Sequence, residues 1–389
     1  MNISKKALSL IRYNLQGSLK KNGINIWRYV FKGVEKGTGV ERLFFIELIV
    51  LNPYLSPSNI VLGFDSRVSV SSEQLQNVLA GTVSAQKMMS ETLVVPSYIC
   101  VKAGILGTGA RQLCFYAPVK DVKSSLKSFN FEVGRCSFSE ERLSGLISQN
   151  PSDIQEHPGF LSDTGLISWD LRYEIRLDST VGFSGKSANW FPVGINTVFA
   201  GNISIDGREY SVLPKNSFGY FDRIFGPSCP DNLFHLSSSH LTSVITGKLL
   251  EKSSFAVHGV YKDKVSIVAI LEDKKIEFAA DLSKRAYKSI YDCSTITDSV
   301  DGDKLHWTIS ASNKQYIIDI DVFCIASDLF VRTLELPNGK RKVIKFVSGK
   351  SSSGEIRMYK NNRSNLELIE HAHLADCLCE FGSLEVPEE

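Results

Sequence analysis

Hydrophobic and polar residues alternate along most of this chain, in short segments rich in β-branched and aromatic side chains. Alternation with a period of two places one set of side chains on each face of a β-strand. The segments with this pattern are 43–50, 111–116, 167–175, 198–205, 209–213, 255–261, 265–271, 275–279, 305–310, 316–322 and 355–360. Gly, Asn, Asp or Ser interrupts the pattern about every ten residues, as is typical of turns between strands. So many short strands predict an all-β fold, an antiparallel barrel or sandwich rather than a parallel sheet.

Three turns are indicated by their residues. Asp206-Gly207 separates two strand patterns, and Asp-Gly favours the positive φ angles of a tight hairpin turn. The polar segment 272–274 predicts a second hairpin. The glycine-rich segment 104–109 is followed by a strand pattern and lacks the Lys-Ser or Lys-Thr of a phosphate-binding loop, so we interpret it as a third hairpin turn.

Helical patterns are few. Residues 1–12 predict an amphipathic helix, and 71–90, 139–148 and 283–291 predict three more. They occupy a small part of the sequence, so helices are expected to be accessory to the sheets.

The strand pattern stops twice, in the polar segments 148–165 and 178–189. A chain of 389 residues is longer than most single cores can organise. We therefore predict two domains, 1–185 and 186–389, each an antiparallel barrel or sandwich with a few short helices.

The charge balance excludes a strong electrostatic field. The chain has 44 basic and 42 acidic residues, a formal net charge of +2, so nothing in its composition favours nucleic acid or an anionic membrane as a partner. The longest apolar stretch, 43–51, contains Glu47 and is far shorter than a membrane span, and Arg12 interrupts the N-terminal apolar run. We expect a soluble protein without an integral membrane segment; the oligomeric state is left open.

Eight cysteines are scattered along the chain, and without an export signal they predict reduced thiols and a cytoplasmic location. They are Cys100, Cys114, Cys136, Cys229, Cys293, Cys324, Cys377 and Cys379. The last two follow His371 and His373, but zinc sites usually draw on two separated pairs of ligands. A C-terminal amphipathic segment with buried thiols is the favoured interpretation, and we expect no metal and no cofactor.

The best site candidate is the segment 219–226, Gly-Tyr-Phe-Asp-Arg-Ile-Phe-Gly. Tyr220 and Asp222 are two residues apart, so on a strand both side chains point to one face. Elsewhere the chain lacks the Gly-x-Ser-x-Gly motif of a nucleophile elbow, and the Ser-rich run before His240 has no positioned acid in the sequence.

The order of motifs from 190 to 230 resembles the lipocalin-like family of tocopherol cyclases, carotenoid hydratases and AttH-like proteins. The similarity begins at Trp190-Phe191-Pro192-Val193-Gly194 and continues through the hairpin at 201–210. It then reaches 219–226 and Cys229-Pro230, with softer similarities at 27–33, 167–174 and 354–359.

This resemblance implies two lipocalin-like barrels in tandem, with an apolar ligand held between or within them. In the carotenoid hydratases the Tyr and Asp of the motif are associated with acid-catalysed addition to an isoprenoid double bond; these residues correspond to Tyr220 and Asp222. The candidate substrate contacts are Trp190, Phe218, Phe225 and His235.

Protonation of an alkene requires a carboxyl group that keeps its proton near neutral pH, which burial in an apolar cavity promotes. Asp222 has Phe221 beside it and meets this requirement unless Arg223 folds back and holds it ionised. The alternative is structural, with Tyr220 packed and Asp222 paired with Arg223 or capping a turn. Trp190 and His235 likewise have packing roles as alternatives.

Three functions therefore remain open from the sequence. The first is an enzyme, a cofactor-independent cyclase or hydratase acting on an isoprenoid- or polyketide-like molecule. The second is a non-catalytic carrier of such a lipophilic ligand. The third is a structural or partner-binding protein whose barrels are filled by side chains, since small barrels are either packed or hollow.

Overall fold

The computed structural model describes residues 3–55, 72–82, 98–125, 127–156, 162–229, 232–272, 274–280, 287–300, 302–335, 341–347, 352–362 and 365–382. In these ranges the chain forms three α-helices and 26 β-strands. The helices are α1 (Lys5–Arg12), α2 (Ser72–Leu79) and α3 (Pro151–Glu156).

All strand pairs are antiparallel, and the strands fall into two groups in chain order. The first group, here the first unit, comprises β1 (Ile24–Glu35), β2 (Glu41–Leu51), β3 (Tyr98–Leu106), β4 (Arg111–Pro118), β5 (Lys123–Ser124), β6 (Asn130–Val133), β7 (Cys136–Ser139), β8 (Arg142–Gln149), β9 (Gly165–Asp178), β10 (Phe183–Ser184), β11 (Asn189–Ile205), β12 (Arg208–Val212) and β13 (Gly219–Gly226). The second unit comprises β14 (Leu233–Ser238), β15 (His240–Ser243), β16 (Ser254–Val260), β17 (Lys264–Leu271), β18 (Lys274–Phe278), β19 (Lys288–Asp298), β20 (Gly302–Ser312), β21 (Tyr316–Ile325), β22 (Leu329–Glu335), β23 (Arg341–Val347), β24 (Ser353–Asn362), β25 (Asn365–Ala375) and β26 (Leu378–Gly382).

The first unit is one sheet that curls into a barrel. Its order is β4-β3-β2-β1-β12-β11-β9-β8-β7-β6-β5, and β13 continues the line of β12 between β1 and β11. The chain at Asp163 bonds to Gln112 of β4, and Gln149 of β8 donates to the carbonyl of Cys114, which brings the two flanks of the sheet together.

Aromatic side chains fill the interior of this barrel. Tyr29 stacks on Phe221 with ring centroids 4.4 Å apart, and Phe31 lies 4.9 Å from Phe199. The fully buried Trp27 packs beside Phe129 at 5.2 Å. The barrel interior is therefore a packed core of the kind that small barrels adopt.

The second unit is built from two sheets around one core. One sheet has the order β18-β17-β16-β14-β26-β23-β22 and the other β15-β25-β24-β21-β20-β19. Inward-facing residues of both sheets, such as Phe255 and Trp307, belong to the same buried cluster. The predicted all-β, antiparallel, two-part architecture is thus confirmed by the strand pairing.

Local turn chemistry also agrees with the sequence. Asp206 and Gly207 have φ of 49° and 81° in the turn between β11 and β12, as the Asp-Gly pair predicts. Hairpins also connect β3 to β4 and β17 to β18. Helix α1 begins after Ser4, whose hydroxyl accepts a hydrogen bond from the amide of Ala7.

Two of the predicted helical segments contain β-strands in the structure. Residues 139–148 were expected to be helical, but they form the β7–β8 hairpin, because Arg142–Gln149 pairs along its length with β9 and tertiary pairing overrides local preference. In the predicted helix 283–291, residues 283–286 lie outside the described residues, and the chain is a strand from Lys288 onward. Helix α2 lies within the predicted 71–90.

The change from the first unit to the second comes later than the predicted 185. Strand β11 spans 17 residues and pairs with β9, β12 and β13, so it belongs to the first sheet. The first sheet ends at Gly226 and the second unit begins at Leu233. The segment with Tyr220 and Asp222 therefore lies in the first unit, on the wall that faces the second.

None of the helices in the described part of the chain has the length and apolar character needed to span a bilayer. All eight cysteines are thiols; seven are buried and Cys293 is half-buried.

Candidate active site between the two units

Strand β13 presents two different faces. Phe221 and Arg223 point into the barrel, whereas Tyr220, Asp222 and Ile224 point outward toward the second unit, as the period of two requires. Tyr220 and Asp222 thus share one face, as predicted.

Neighbouring strands of the first unit bring two partners to Asp222. Arg28 of β1 lies directly opposite Asp222 in the register between β1 and β13. Trp190 of β11 is paired with Ile224, one step along the same face. All three side chains are buried at the outer wall of the barrel.

The second unit covers this wall with a row of three titratable residues. His235 of β14 lies opposite His258 of β16 on one side and opposite Glu380 of β26 on the other. All three are buried. We use the name interface cluster for these residues together with those of the first unit: Arg28, Trp190, Tyr220, Asp222, His235, His258 and Glu380.

Hydrogen bonds join the two halves of the interface cluster. Arg28 donates to both oxygens of Asp222, with Nε–Oδ1 at 3.1 Å, and also donates to Oε1 of Glu380. Trp190 Nε1 donates to Asp222 Oδ2 at 2.7 Å. The Tyr220 hydroxyl shares a 2.5 Å hydrogen bond with Nε2 of His258.

Three polar atoms of the cluster have no hydrogen-bond partner within the described structure. They are Nδ1 of His235, Nδ1 of His258 and Oε2 of Glu380. The first and the last are 3.6 Å apart. Buried polar atoms are almost always satisfied in folded proteins, so these three atoms distinguish the cluster from an ordinary packed interior.

Burial determines the protonation of this cluster. It lowers the pKa of both His235 and His258 well below the usual value, and the positive charge of Arg28 acts in the same direction, so both rings are neutral. Burial also raises the pKa of Tyr220 well above its usual value, with a further increase from the charge of Asp222.

Glu380 is a carboxyl group of the cluster whose pKa is raised. Burial raises the pKa of Glu380 to about 7, with Arg28 opposing the shift and Asp222 adding to it. At neutral pH this carboxyl group therefore exists in both protonation states.

Asp222, expected from the sequence to be an acid, is hydrogen-bonded to Arg28, a partner that the sequence did not reveal. The three N–H groups of Arg28 and Trp190 that point at its oxygens stabilise the carboxylate ion. Arg223, considered from the sequence as the residue that would fold back, instead donates to the carbonyls of Ile26 and Tyr13 and lies over the ring of Trp27.

The structure brings together four of the six residues singled out from the sequence: Tyr220, Asp222, Trp190 and His235. The other two lie elsewhere. Phe218 stacks on His240 with ring centroids 3.7 Å apart. Phe225 packs against Tyr13 and Phe191 on the barrel side of β13.

Sequence reasoning missed three members of the cluster, namely Arg28, His258 and Glu380. Arg28 stands in the apolar run of β1, where a charged residue on a buried strand is a signal for a paired site. Glu380 carries the same signal inside Leu378–Gly382. His258 interrupts the apolar strand β16.

One group within the described ranges has the donor spacing of a metal site: Asp222, His235 and His258 each offer a ligand atom within 4.8 Å of the other two. The Arg28 guanidinium, however, already lies against both oxygens of Asp222 and supplies the positive charge there. Of this donor set, the Asp222 oxygens are therefore occupied by the Arg28 guanidinium. At the C-terminus, His371 and His373 face Glu355, while Cys377 and Cys379 are buried in the core of the second unit.

Comparisons with known proteins add little to this geometry. No protein-family model matches the chain, and no curated protein matches it. Among solved structures, a protein from Nitrosomonas europaea provisionally named AttH is 10% identical, with 90% of this chain and 92% of that chain covered and a TM-score of 0.41. Kievitone hydratase from Nectria haematococca is 11% identical, with 98% and 96% covered and a TM-score of 0.42. With identities this low and TM-scores below 0.5, the fold is defined by the strand pairing of the chain itself.

Proposed function

We propose that the protein binds a lipophilic, isoprenoid- or polyketide-like molecule between its two units and catalyses a cofactor-free proton transfer on it, a hydration or a cyclisation. The observation that carries this proposal is the interface cluster itself. Tyr220 and Asp222 meet two neutral histidines and a carboxyl group in one buried layer.

The contact between the units is a better location for a ligand than either interior. The barrel of the first unit is filled by stacked aromatic rings, and the second unit has its own packed core. At the contact, apolar side chains of both units border the cluster, including Val30 and Ile195 from the first and Ala256 and Val268 from the second. Such a mixture of apolar walls and a few convergent polar groups is typical of small-molecule sites.

The chemistry requires a proton donor, stabilisation of positive charge and a base. Addition of a proton to an alkene carbon leaves a carbocation on the neighbouring carbon. The carboxylate of Asp222 and the faces of Trp190 and Tyr220 would stabilise that charge. In a hydration, water then forms the C–O bond and releases its extra proton to a base; in a cyclisation, a hydroxyl group of the substrate does the same.

The test begins with lipid extraction from protein purified from its own host, followed by incubation of the enriched compound with wild type and with Asp222→Asn. The substitution keeps the size but removes the negative charge, so conversion should fall about 100-fold or more. Tyr220→Phe should reduce conversion less. Asp170→Asn, an exposed residue paired with Arg142 far from the cluster, is the matched control and should keep full conversion. Circular dichroism verifies that each variant is folded, and unchanged conversion by folded Asp222→Asn would refute the proposal.

The second candidate is a protein without catalysis, and the filled barrel and the complete burial of the cluster favour it. A ligand that co-purifies and is never converted would identify a carrier. If no ligand co-purifies and apolar fluorescent probes do not bind, the two units serve a structural or partner-binding role.

A further inference from the structure

Glu380 differs from Asp222 in the number of groups that stabilise its charge. Asp222 accepts three N–H groups on its two oxygens. Glu380 accepts one, from Arg28 to Oε1, and its Oε2 has no partner in the described structure. Both side chains are almost completely inaccessible to water, with relative exposures of 0% and 1%. An unpaired oxygen on a buried carboxylate is unfavourable, and a proton on that oxygen removes the charge.

The charges around Glu380 lead to the same conclusion. Arg28 and Asp222 form a neutral pair, and His235 and His258 are uncharged. Arg28 is the one cation of the interface cluster, so an ionised Glu380 would have to share it with Asp222. Arg332 of β22 is the other cation that acts on Glu380, and it is engaged by Glu47.

We propose that Glu380 carries a proton on Oε2 and is the proton donor of the site, with Asp222 as the carboxyl group that Arg28 and Trp190 hold in place. This inference rests on the proposed function. His235 Nδ1, on a neutral ring, lies 3.6 Å from Oε2. The raised pKa of Glu380 agrees with this assignment, but the pattern of partners defines it.

The step balances without any further reactant except water. Oε2 transfers its proton to an alkene carbon, which breaks the O–H bond, forms a C–H bond and leaves Glu380 as a carboxylate. Water adds to the carbocation and forms the C–O bond. The proton that this oxygen releases returns to Glu380, directly or through His235, and restores the starting state.

The protonation of Glu380 can be measured without substrate. Infrared spectroscopy detects the carbonyl stretch of a protonated carboxyl group, and the difference between the spectra of wild type and Glu380→Gln at the same pH isolates the band of Glu380. In wild type, this band should be present at about pH 5.5 and should disappear with a midpoint near the pKa of about 7. Glu380→Gln should lack the band. Glu209→Gln, which removes an exposed carboxyl group paired with Lys36 outside the interface cluster, is the control and should retain the band.

A wild-type spectrum without the band at about pH 6, or a band that persists in Glu380→Gln, would overturn the assignment. The wild-type titration does not require any variant to fold. If the band is assigned to Glu380 but the co-purified ligand is never converted, the proposed function fails and the donor role fails with it.

With a converted ligand, Glu380→Gln should reduce the rate about 100-fold or more, whereas Glu209→Gln should leave it unchanged. Equal rates in wild type and Glu380→Gln would exclude the donor role while leaving catalysis by the interface cluster intact.

Discussion

Arg28 lies between the two carboxyl groups of the interface cluster and donates to both. Its contact with Asp222 spans 194 positions in the chain, so no local pattern reveals it. What the sequence does show is which residues share a face of one strand. Tyr220 and Asp222 are two apart and lie together, whereas Phe225 is three residues from Asp222 and points to the opposite side. The same alternation would have separated Phe225 from the site in advance.

Glu380 makes the stability of the protein depend on pH in a definite direction. Because its pKa in the folded protein is about 7, above the ordinary value of about 4.3, the folded state binds a proton in this window that the unfolded chain has released. The stability contribution is complete below about pH 4 and is lost as the pH rises through about 7.

The free energy of unfolding of wild type should therefore fall relative to that of Glu380→Gln by up to about 1.4 kcal/mol per pH unit in this window. Urea unfolding of both proteins at about pH 5.5 and about pH 8 measures the change. A difference that stays constant with pH would show that Glu380 is ionised throughout.

At the scale of elements, α1 is fixed to the barrel by one residue of β13. Arg223 donates to the carbonyls of Leu10 and Tyr13 at the end of α1 and to Ile26 of β1. Trp27 adds a hydrogen bond to the carbonyl of Ile11 at 2.9 Å. The helix itself was predictable from residues 1–12, but its attachment depends on side chains that come much later in the chain.

Arg223→Met should loosen α1 because it removes these hydrogen bonds while keeping an apolar stem against Trp27. Trypsin cleavage within residues 5–12 should become about tenfold faster or more, since hydrogen bonds from a charged group are worth roughly 1.5–3 kcal/mol each. Mass spectrometry of the early fragments locates the cuts. Arg142→Met is the matched control, because Arg142 is exposed and pairs with Asp170. Equal cleavage rates in the two variants would mean that the other contacts of α1, such as the Trp27 hydrogen bond and the packing of Ala7 and Ile11, suffice to hold the helix.

The secondary structure of residues 139–148 could not be predicted from the local sequence alone. Its leucines and isoleucine fit helical spacing, yet Arg142–Gln149 pairs residue by residue with β9. A neighbouring strand that already exposes its hydrogen-bonding groups decides between the two structures, and the sequence of one segment does not contain that information.

For the whole molecule, the sequence predicted the class of fold because alternation and turn residues are local properties. The boundary between the two units was harder to predict from the sequence. Strand β11 begins just after a polar segment that resembles a linker, yet it pairs with the first sheet. Which wall of the first unit meets the second depends on long-range packing, and so does the composition of the interface cluster.

Thiol chemistry tests the packing of the whole molecule. Seven of the eight cysteines are buried, and burial raises the pKa of the half-buried Cys293 to about 12 and that of Cys136 to about 11. In the native protein a thiol reagent should therefore react slowly, with Cys293 first, whereas in denaturant all eight should react at once. Reductant should leave the melting temperature unchanged. Two or more stable disulfides in freshly isolated protein would contradict the structure.

The contact between Arg28 and Glu380 bridges 352 positions of the chain. During translation, Arg28, Tyr220 and Asp222 leave the ribosome well before β26, by on the order of ten seconds at ordinary elongation rates. A nascent chain therefore contains Arg28, Tyr220 and Asp222 before Glu380 has been synthesised. With Glu380 as the proton donor proposed above, protonation of a lipid would begin only when the second unit has closed over the first.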